Sequence, residues 1–421
     1  MTAQPMVNLT IDGRPVQVPA GKTILDAAKA LGIEIPTLCH NDALHPYGSC
    51  WVCAVKVEGA RTLVPSCSTE VREGMVVHDN DPEVRNTRKL CLELLLSDHS
   101  GDCFGPCHQT CPAGIDVQGY LAHVRNGQYD DAIRLIKEKN PLPLICGRVC
   151  PRPCEEKCRR NLVDEPVAVD AVKRFVADWD LARGQWKPPV ASATGKKVAV
   201  IGGGPAGLTA AYFLAQRGHA VTIFEAQPKL GGMLRWGIPA YRLPREVLDA
   251  EIDNILSLGI AVKPGKRLGK DFTVQSLHDT DGFNAVFVGI GATESRLMGV
   301  PGEDLPGVMP ATGFLLRFGL GEEFGFKGKR VAVIGGGNSA IDAARTSLRL
   351  GAKEVTIIYR RSRAEMPAQD IEVEDAEHEG VTFRFLAAPT RLTGAGKLEQ
   401  LEFARMDLGE PDASGRRKPI L

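Results

Sequence analysis

Val7-Asn-Leu-Thr-Ile11 and Val16-Gln-Val18 alternate in the manner of half-buried strands and flank Asp12-Gly13, a dipeptide that favours a two-residue hairpin turn. Thr23 then precedes an apolar pattern of helical period running through Leu31, so the chain opens as a small α+β domain. From about Leu90 to Asp180 the period changes. Tyr120-Leu-Ala-His-Val124, Ala132-Ile-Arg-Leu-Ile136 and Val172-Lys-Arg-Phe-Val176 place apolar residues at helix spacing between cysteine–proline turns, which predicts a mostly helical second domain. Gly184-Gln-Trp-Lys-Pro-Pro189 and Ala191-Ser-Ala-Thr-Gly195 form a polar linker, and beyond it strand and helix patterns alternate as in a doubly wound α/β domain. Lys197-Val-Ala-Val-Ile-Gly-Gly-Gly204 returns as Arg330-Val-Ala-Val-Ile-Gly-Gly-Gly337, each followed by a helical stretch and by Val-Thr-Ile, so two dinucleotide-binding units are predicted in tandem.

Composition narrows the function classes. The 421 residues, 43% hydrophobic and 24% charged, suffice for several cores. Formal net charge is zero and no Lys/Arg tract stands out, which argues against nucleic acid or an anionic membrane as partner. Met1-Thr-Ala-Gln-Pro-Met-Val lacks the features of a signal peptide and no apolar run reaches membrane-spanning length, so a cytoplasmic protein is expected. All twelve cysteines fall between Cys39 and Cys158. In a reducing compartment, short-spaced cysteines are more often metal ligands than disulfides.

Cys39, Cys50, Cys53 and Cys67 are spaced C-x10-C-x2-C-x13-C. Four thiolates, the middle pair on one loop beside Gly48 and Ser49, suit a [2Fe-2S] centre. A four-cysteine zinc site is the alternative, although zinc favours two short CxxC-like pairs. The segment resembles the [2Fe-2S] domain that begins the largest peripheral-arm subunit of respiratory complex I and iron-only hydrogenases. Cys91, on the apolar stripe Lys89-Leu-Cys-Leu-Glu-Leu-Leu-Leu96, is expected in the core.

A second group comprises Cys103, Cys107 and Cys111, answered by Cys146, Cys150, Cys154 and Cys158, with prolines beside several of them. Two batches of cysteine separated in sequence are what shared cubane clusters need. The pattern resembles the iron–sulfur domain of the glutamate synthase small subunit and of dihydropyrimidine dehydrogenase, where two [4Fe-4S] clusters take ligands from both batches. The resemblance implies Cys103, Cys107 and Cys158 for one cluster and Cys111, Cys150 and Cys154 for the other. The family's upstream CxxC is absent; His99, four residues before Cys103, is the candidate fourth ligand of the first cluster, as in the histidine-ligated segment of the complex I subunit. A solvated histidine favoured by the helix dipole is the alternative. Where dihydropyrimidine dehydrogenase supplies a glutamine to the other cluster, this chain has Lys173-Arg174, so either Cys146 replaces it or that cluster is incomplete. His108 is expected to be an exposed polar residue.

Gly202, Gly204 and Gly207, with Pro205 and Ala206 between them, satisfy G-x-G-x-x-G after a Val-Ala-Val-Ile strand, so backbone amides and a helix N-terminus would hold a pyrophosphate. Glu225 ends the next strand at the distance expected for a ribose hydroxyl. Gly231 to Pro244, including Gly232 and Met233, is similar to the segment that closes over flavin in the glutamate synthase small-subunit family. The second loop, Gly335, Gly337, Asn338, Ser339 and Ala340, substitutes alanine for the third glycine and places Arg360 and Arg361 where the first unit has Glu225. Paired guanidiniums accept a 2'-phosphate that an acid would repel, so NADPH is preferred, with NADH possible; a plain basic surface run is the alternative. Val288-Gly-Ile-Gly-Ala-Thr293 reads as a buried strand whose glycines admit a cofactor.

The expected organisation is therefore a multidomain chain: an α+β ferredoxin-like [2Fe-2S] domain at 1–90, a helical [4Fe-4S] domain at 91–190, then α/β Rossmann-type FAD (196–310) and NAD(P)H (311–421) domains. The expected cofactors are FAD, NADPH, one [2Fe-2S] and one or two [4Fe-4S] clusters. No protein acid, base or nucleophile is assigned, because hydride transfer to flavin is performed by the cofactors. The resembling flavoproteins return after the NADP domain to a Gly-Asp motif that is missing before Leu421, so a fragment is expected. The function expected is that of an electron-transfer oxidoreductase subunit, with a formate or aldehyde dehydrogenase, a hydrogenase or the glutamate synthase large subunit as candidate redox partner. A non-catalytic electron-wiring subunit and a zinc-stabilised scaffold are the rivals.

Overall fold

The computed structural model describes residues 5–99 and 104–421. They form two compact units divided between residues 104 and 105.

In the first unit the strands Met6–Ile11 and Arg14–Pro19 pair antiparallel, joined by Asp12 and Gly13 at φ 46° and 75°. Two successive positive φ values are what a hairpin turn matching the strand twist requires. The sheet has five strands in the order Arg14–Pro19, Met6–Ile11, Met75–His78, Ala54–Val57, Val64–Pro65. Thr23 caps the helix Ile24–Ala30 by a capping box with Asp26, the amide of Asp26 donating to Thr23 Oγ1 at 3.2 Å and that of Thr23 to Asp26 Oδ2 at 3.1 Å. The helix Pro82–Ser97 runs across residues 90 and 91, where the sequence reading divided the chain. It buries only Val84, and Cys91 is half-buried rather than in the core, because its leucine-rich stripe stays exposed.

The second unit begins with helices, chiefly Val117–Arg125, Tyr129–Lys137, Pro143–Val149 and Val169–Ala182. A four-stranded parallel sheet follows, ordered Ala261–Pro264, Ala220–Glu225, Lys197–Ile201, Ala285–Val288. A three-stranded parallel sheet comes next, ordered Arg330–Ile334, Glu354–Tyr359, Thr382–Phe385. The repeat seen in sequence is thus a repeat in space: Lys197–Ile201 and Arg330–Ile334 each feed a helix, Pro205–Gln216 and Asn338–Arg349, and each pairs in parallel with the following Val-Thr-Ile strand. One expectation is corrected. Among the described residues Ala285–Val288 is an edge strand, paired with Lys197–Ile201, so Val288 and Ile290 are exposed and the strand ends before the glycines.

The helical segment and the first nucleotide sheet share one core. Leu142 and Ile145 pack with Val200, Leu208 and Tyr212 from the sheet region and with Leu248 and Ile252 from the helix Arg245–Leu256. Lys137 adds a polar contact across the joint, its Nζ 3.5 Å from Asn254 Oδ1 on that helix. Lys137 Nζ lies 2.8 Å from Asp180 Oδ2, with side chains only 1% and 6% exposed, and it also donates to the carbonyl of Trp186 at 3.1 Å. Removing one member of a buried pair strands the other charge. Lys137→Met is therefore expected to destabilise the second unit by about 3–5 kcal/mol in urea unfolding, whereas Lys89→Met, on an exposed pair, is expected to change stability by less than about 1 kcal/mol.

Candidate cofactor sites

In the first unit the cysteines lie on the loops leading into and out of the strand Ala54–Val57. Gly48 takes φ 65°, and a Cβ there would meet Ser68 Oγ at 2.5 Å, so only glycine lets the loop lie against the Cys67 segment. Trp51 also has a positive φ, 60°, between Cys50 and Cys53, a conformation a bulky side chain adopts only when the surrounding structure imposes it. The thiols stand in two pairs. Cys39 approaches Cys50, and backbone hydrogen bonding from Cys50 lowers its pKa to about 7; Cys67 approaches Cys53, and burial pushes its thiol up to about 12. Cys53 and Cys67 are buried, and Cys39 is exposed. Two thiol pairs fit a rhombic two-iron core, whose irons would each take two thiolates and compensate the charge that burial penalises. Leu38, Leu44 and Tyr47 are exposed along the same loop.

In the second unit Cys107 sits in the helix Pro106–Thr110 and Cys111 ends it; Cys150 ends the helix Pro143–Val149, Cys154 lies in Pro153–Glu156 and Cys158 follows. Cys107, Cys111 and Cys154 pack round the buried Tyr120, whose hydroxyl donates to the carbonyl of Val169 at 2.9 Å. Burial pushes the Cys107 thiol up, with Cys158 nearby adding to it, and pushes Cys154 up to about 11, with Cys150 adding. The two cysteine batches are thus brought together around Tyr120, and a cluster core would offset the buried thiolates. Cys146 packs against the core of the first nucleotide sheet and its thiol donates to Asn140 Oδ1 at 3.8 Å, with Cys150 and Lys173 also near it. Among the described residues no three His, Cys, Asp or Glu side chains close on a single ion-sized point. His108 is half-buried on its short helix rather than exposed. His99 follows the helix Pro82–Ser97, its amide donating to Leu96 O at 3.3 Å, and belongs to the first unit, whereas Cys107 and Cys158 belong to the second. Cys103 lies outside the described residues.

The first glycine loop is built by close backbone approach. A Cβ on Gly207 would stand 1.8 Å from Gly202 O, and one on Gly202 would stand 2.4 Å from Gly289 O. Gly204 is the N-cap of the helix Pro205–Gln216 and no side chain caps that end, so the amides of Ala206 and Gly207 are available to an anion, whereas that of Leu208 donates to Gly204 O at 2.9 Å. Glu225 is buried at the end of Ala220–Glu225, its Oε2 accepting from the Gly203 amide at 2.7 Å and its Oε1 from the Gln227 amide at 2.7 Å. Both oxygens thus fix the glycine loop and the turn that follows the strand. The Gly231 amide donates to Gly203 O at 2.8 Å, and a Cβ on Gly232 would stand 2.7 Å from Gly204 Cα, which sets Met233 beside the loop.

The second loop has the same form, with Gly335 at φ 135°, Gly337 as N-cap without a side-chain cap, and Asn338, Ser339 and the buried Ala340 opening the helix. The arginines behave differently from each other. Arg360 is exposed at the strand end, whereas Arg361 is 4% exposed, donates through Nε to Arg417 O at 2.6 Å and pairs with Asp412. The hairpin Asp407–Pro411 with Arg417–Ile420 therefore engages Arg361. Sequence reading also missed the network from Tyr241-Arg242 to the helices Asn338–Arg349 and Asp370–His378: Arg242 reaches Asp342 at 2.7 Å and Glu372 at 2.9 Å, and Arg349 stacks on Tyr241 at 3.9 Å. Arg242 carried no motif; only its place in the flavin-covering segment marked it.

Three family models match in succession: 2Fe-2S iron-sulfur cluster binding domain over residues 4–82, dihydropyrimidine dehydrogenase domain II, 4Fe-4S cluster, over 98–185, and pyridine nucleotide-disulphide oxidoreductase over 196–413. The chain is 47% identical over 340 residues to NADP(+)-dependent formate dehydrogenase subunit beta of Moorella thermoacetica, covering 75% of this chain and 48% of that protein. It is 45% identical over 324 residues to NADPH-Fe(3+) oxidoreductase subunit beta of Geobacter sulfurreducens, covering 75% and 48%. With the glutamate synthase [NADPH] small chain of Escherichia coli it shares 37% identity over 339 residues, covering 76% of this chain and 71% of that one. The aligned region thus spans about half the length of the first two relatives. No helix among the described residues is long and apolar enough to cross a membrane. With the oxidoreductase model matching 218 of its 421 residues, the chain belongs to the pyridine nucleotide-disulphide oxidoreductase family, among the relatives of the glutamate synthase small chain.

Proposed function

We propose that this chain is an electron-transfer oxidoreductase subunit working between NADPH, FAD, [4Fe-4S] and [2Fe-2S] clusters and a partner redox subunit. The observation that carries this reading is the shared core in which Leu142 and Ile145, from the segment leading to Cys146 and Cys150, pack into the first nucleotide sheet. A flavin held there supplies the exchange between two-electron hydride transfer and one-electron steps. The chain's own residues bind and orient: the loop from Gly202 to Gly207, with Glu225, holds one dinucleotide, Gly232 and Met233 close beside it, and the loop from Gly335 to Ala340 holds the other.

Arg360 is the residue we assign to a 2'-phosphate, since Arg361 serves the C-terminal hairpin. Cys39, Cys50, Cys53 and Cys67 are assigned to the [2Fe-2S] centre; Cys103, Cys107 and Cys158, with His99, to one cubane; and Cys111, Cys150 and Cys154 to the other. The relatives from Moorella thermoacetica and Geobacter sulfurreducens are beta subunits, one of an NADP(+)-dependent formate dehydrogenase and one of an NADPH-Fe(3+) oxidoreductase, which supports a partner subunit here. The exposed Leu38, Leu44 and Tyr47 beside Cys39 give such a partner an apolar rim close to the first cluster. Dense cysteines assigned to clusters rather than to disulfides suit a reducing compartment such as the cytoplasm.

Purified protein is expected to reduce a viologen dye with NADPH; a non-catalytic wiring subunit would show no such activity. Replacing Arg360 by Ala should raise KM for NADPH roughly tenfold to a hundredfold and leave NADH kinetics nearly unchanged, the loss expected for about 1.5–3 kcal/mol of charge-assisted hydrogen bonding. Equal effects on the two nucleotides would remove Arg360 from the 2'-phosphate. Gly207→Ala, which drives a methyl into Gly202 O, should yield protein that retains iron and sulfide but lacks FAD on extraction.

A further inference from the structure

Lys173 stands in the neighbourhood where the family resemblance places a glutamine ligand, and a protonated lysine has no lone pair to offer iron. Its burial is unusual for an ammonium: Lys173 is 6% exposed, on the face of Val169–Ala182 that packs on the cysteine helix Pro143–Val149. The packing is close enough that a Cβ on Gly147 would meet Arg174 Cα at 2.8 Å. A carboxylate fixes the charge. Lys173 Nζ lies 2.7 Å from Asp170 Oδ1, and Asp170 Oδ2 lies 3.3 Å from Arg152 Nε.

Arg152 is held in place in turn. It adopts φ 57°, and its amide donates to Cys150 Sγ at 3.4 Å, which puts the Lys173–Asp170–Arg152 triad directly behind the Cys150-to-Cys154 turn. The other charges facing the turn are carboxylates: Glu155, whose Oε1 accepts from the Asp170 amide at 2.7 Å, and Glu251, close to Cys146. Lys173 interacts electrostatically with Cys146, Cys150 and Cys154, and it is the cation that opposes the effect of burial on the Cys146 and Cys154 thiols.

Reduction adds negative charge to a cluster. A fixed cation in a poorly polarisable interior favours the reduced form, and net charge near a cluster is one of the levers on its potential. We propose that the buried Lys173 ammonium, standing where a relative would place a ligand, raises the reduction potential of the [4Fe-4S] cluster held by Cys150 and Cys154. The inference rests on the iron–sulfur reading above and specifies which residue tunes the cluster.

The test is an EPR-monitored redox titration of the holoprotein with three substitutions. Lys173→Met should shift the midpoint of one [4Fe-4S] signal to more negative potential, and Lys173→Arg should restore it towards the original value. Asp170→Asn, which removes the negative member and keeps both cations, should shift the same signal to more positive potential. The [2Fe-2S] signal should stay fixed throughout. Shifts of the same sign in the Met and Asn variants would mean that loosening of the ion pair, rather than charge, moves the cluster, and would overturn the proposal. So would unshifted midpoints with both clusters intact. Should the Met variant assemble no cluster, the Asn variant decides alone by the sign of its shift. Unsubstituted protein without cubane signals would contradict the iron–sulfur reading itself, and the proposal with it.

Discussion

Glu251, buried on the helix Arg245–Leu256, accepts a hydrogen bond from the amide of Ile145 at 2.8 Å, and on this joint the relation between cysteines and nucleotide sheet depends. The amide lies in the first turn of the helix Pro143–Val149, where backbone donors have no intrahelical partner. Burial pushes the Glu251 carboxyl up to about 8, and the Ile145 and Leu144 amides and Lys137 oppose that shift. The helix that ends at Cys150 is thereby anchored to the element behind the first glycine loop, and Lys137 Nζ, 3.5 Å from Asn254 Oδ1, ties a second helix of the same segment to it. Electron transfer between a flavin and a cluster asks for a fixed separation, and a continuous close-packed core supplies it.

A second linkage acts at the other end of the flavin segment. Arg242 joins Asp342 and Glu372, Arg345 joins Glu372 at 3.0 Å and Glu379 at 2.7 Å, and Tyr241 lies under the Arg349 guanidinium. These groups come from the segment between Gly231 and Pro244 and from the helix Asn338–Arg349 with its neighbour Asp370–His378. The two glycine loops are therefore joined through charges rather than through one hydrophobic core, which leaves the second sheet with a core of its own.

What was legible in the sequence was whatever the backbone dictates locally. The hairpin at Asp12-Gly13, the Thr23 cap, the linker and the tandem glycine loops each follow from a residue whose conformation or capping chemistry admits few alternatives. Cysteine spacing likewise marked the two iron–sulfur segments that the family models match. What could not be read depends on distant chain. Arg361 looked equivalent to Arg360 until the hairpin containing Asp412 and Arg417 enclosed it, and Glu225 gave no sign that both its oxygens accept backbone amides. Val288 looked buried because its composition is apolar, and only strand order makes it an edge. Lys173 read as a substitution in a ligand position; its meaning came from burial against Asp170.

The central claim is that nucleotide, flavin and clusters form one electron path. It is tested most directly by following cluster EPR signals under anaerobic conditions as NADPH is added to oxidised protein and NADP+ to protein reduced beforehand. The account predicts that the cubane signals grow in the first case or fall, with NADPH formed, in the second. Signals that dithionite elicits but that neither nucleotide changes would contradict it.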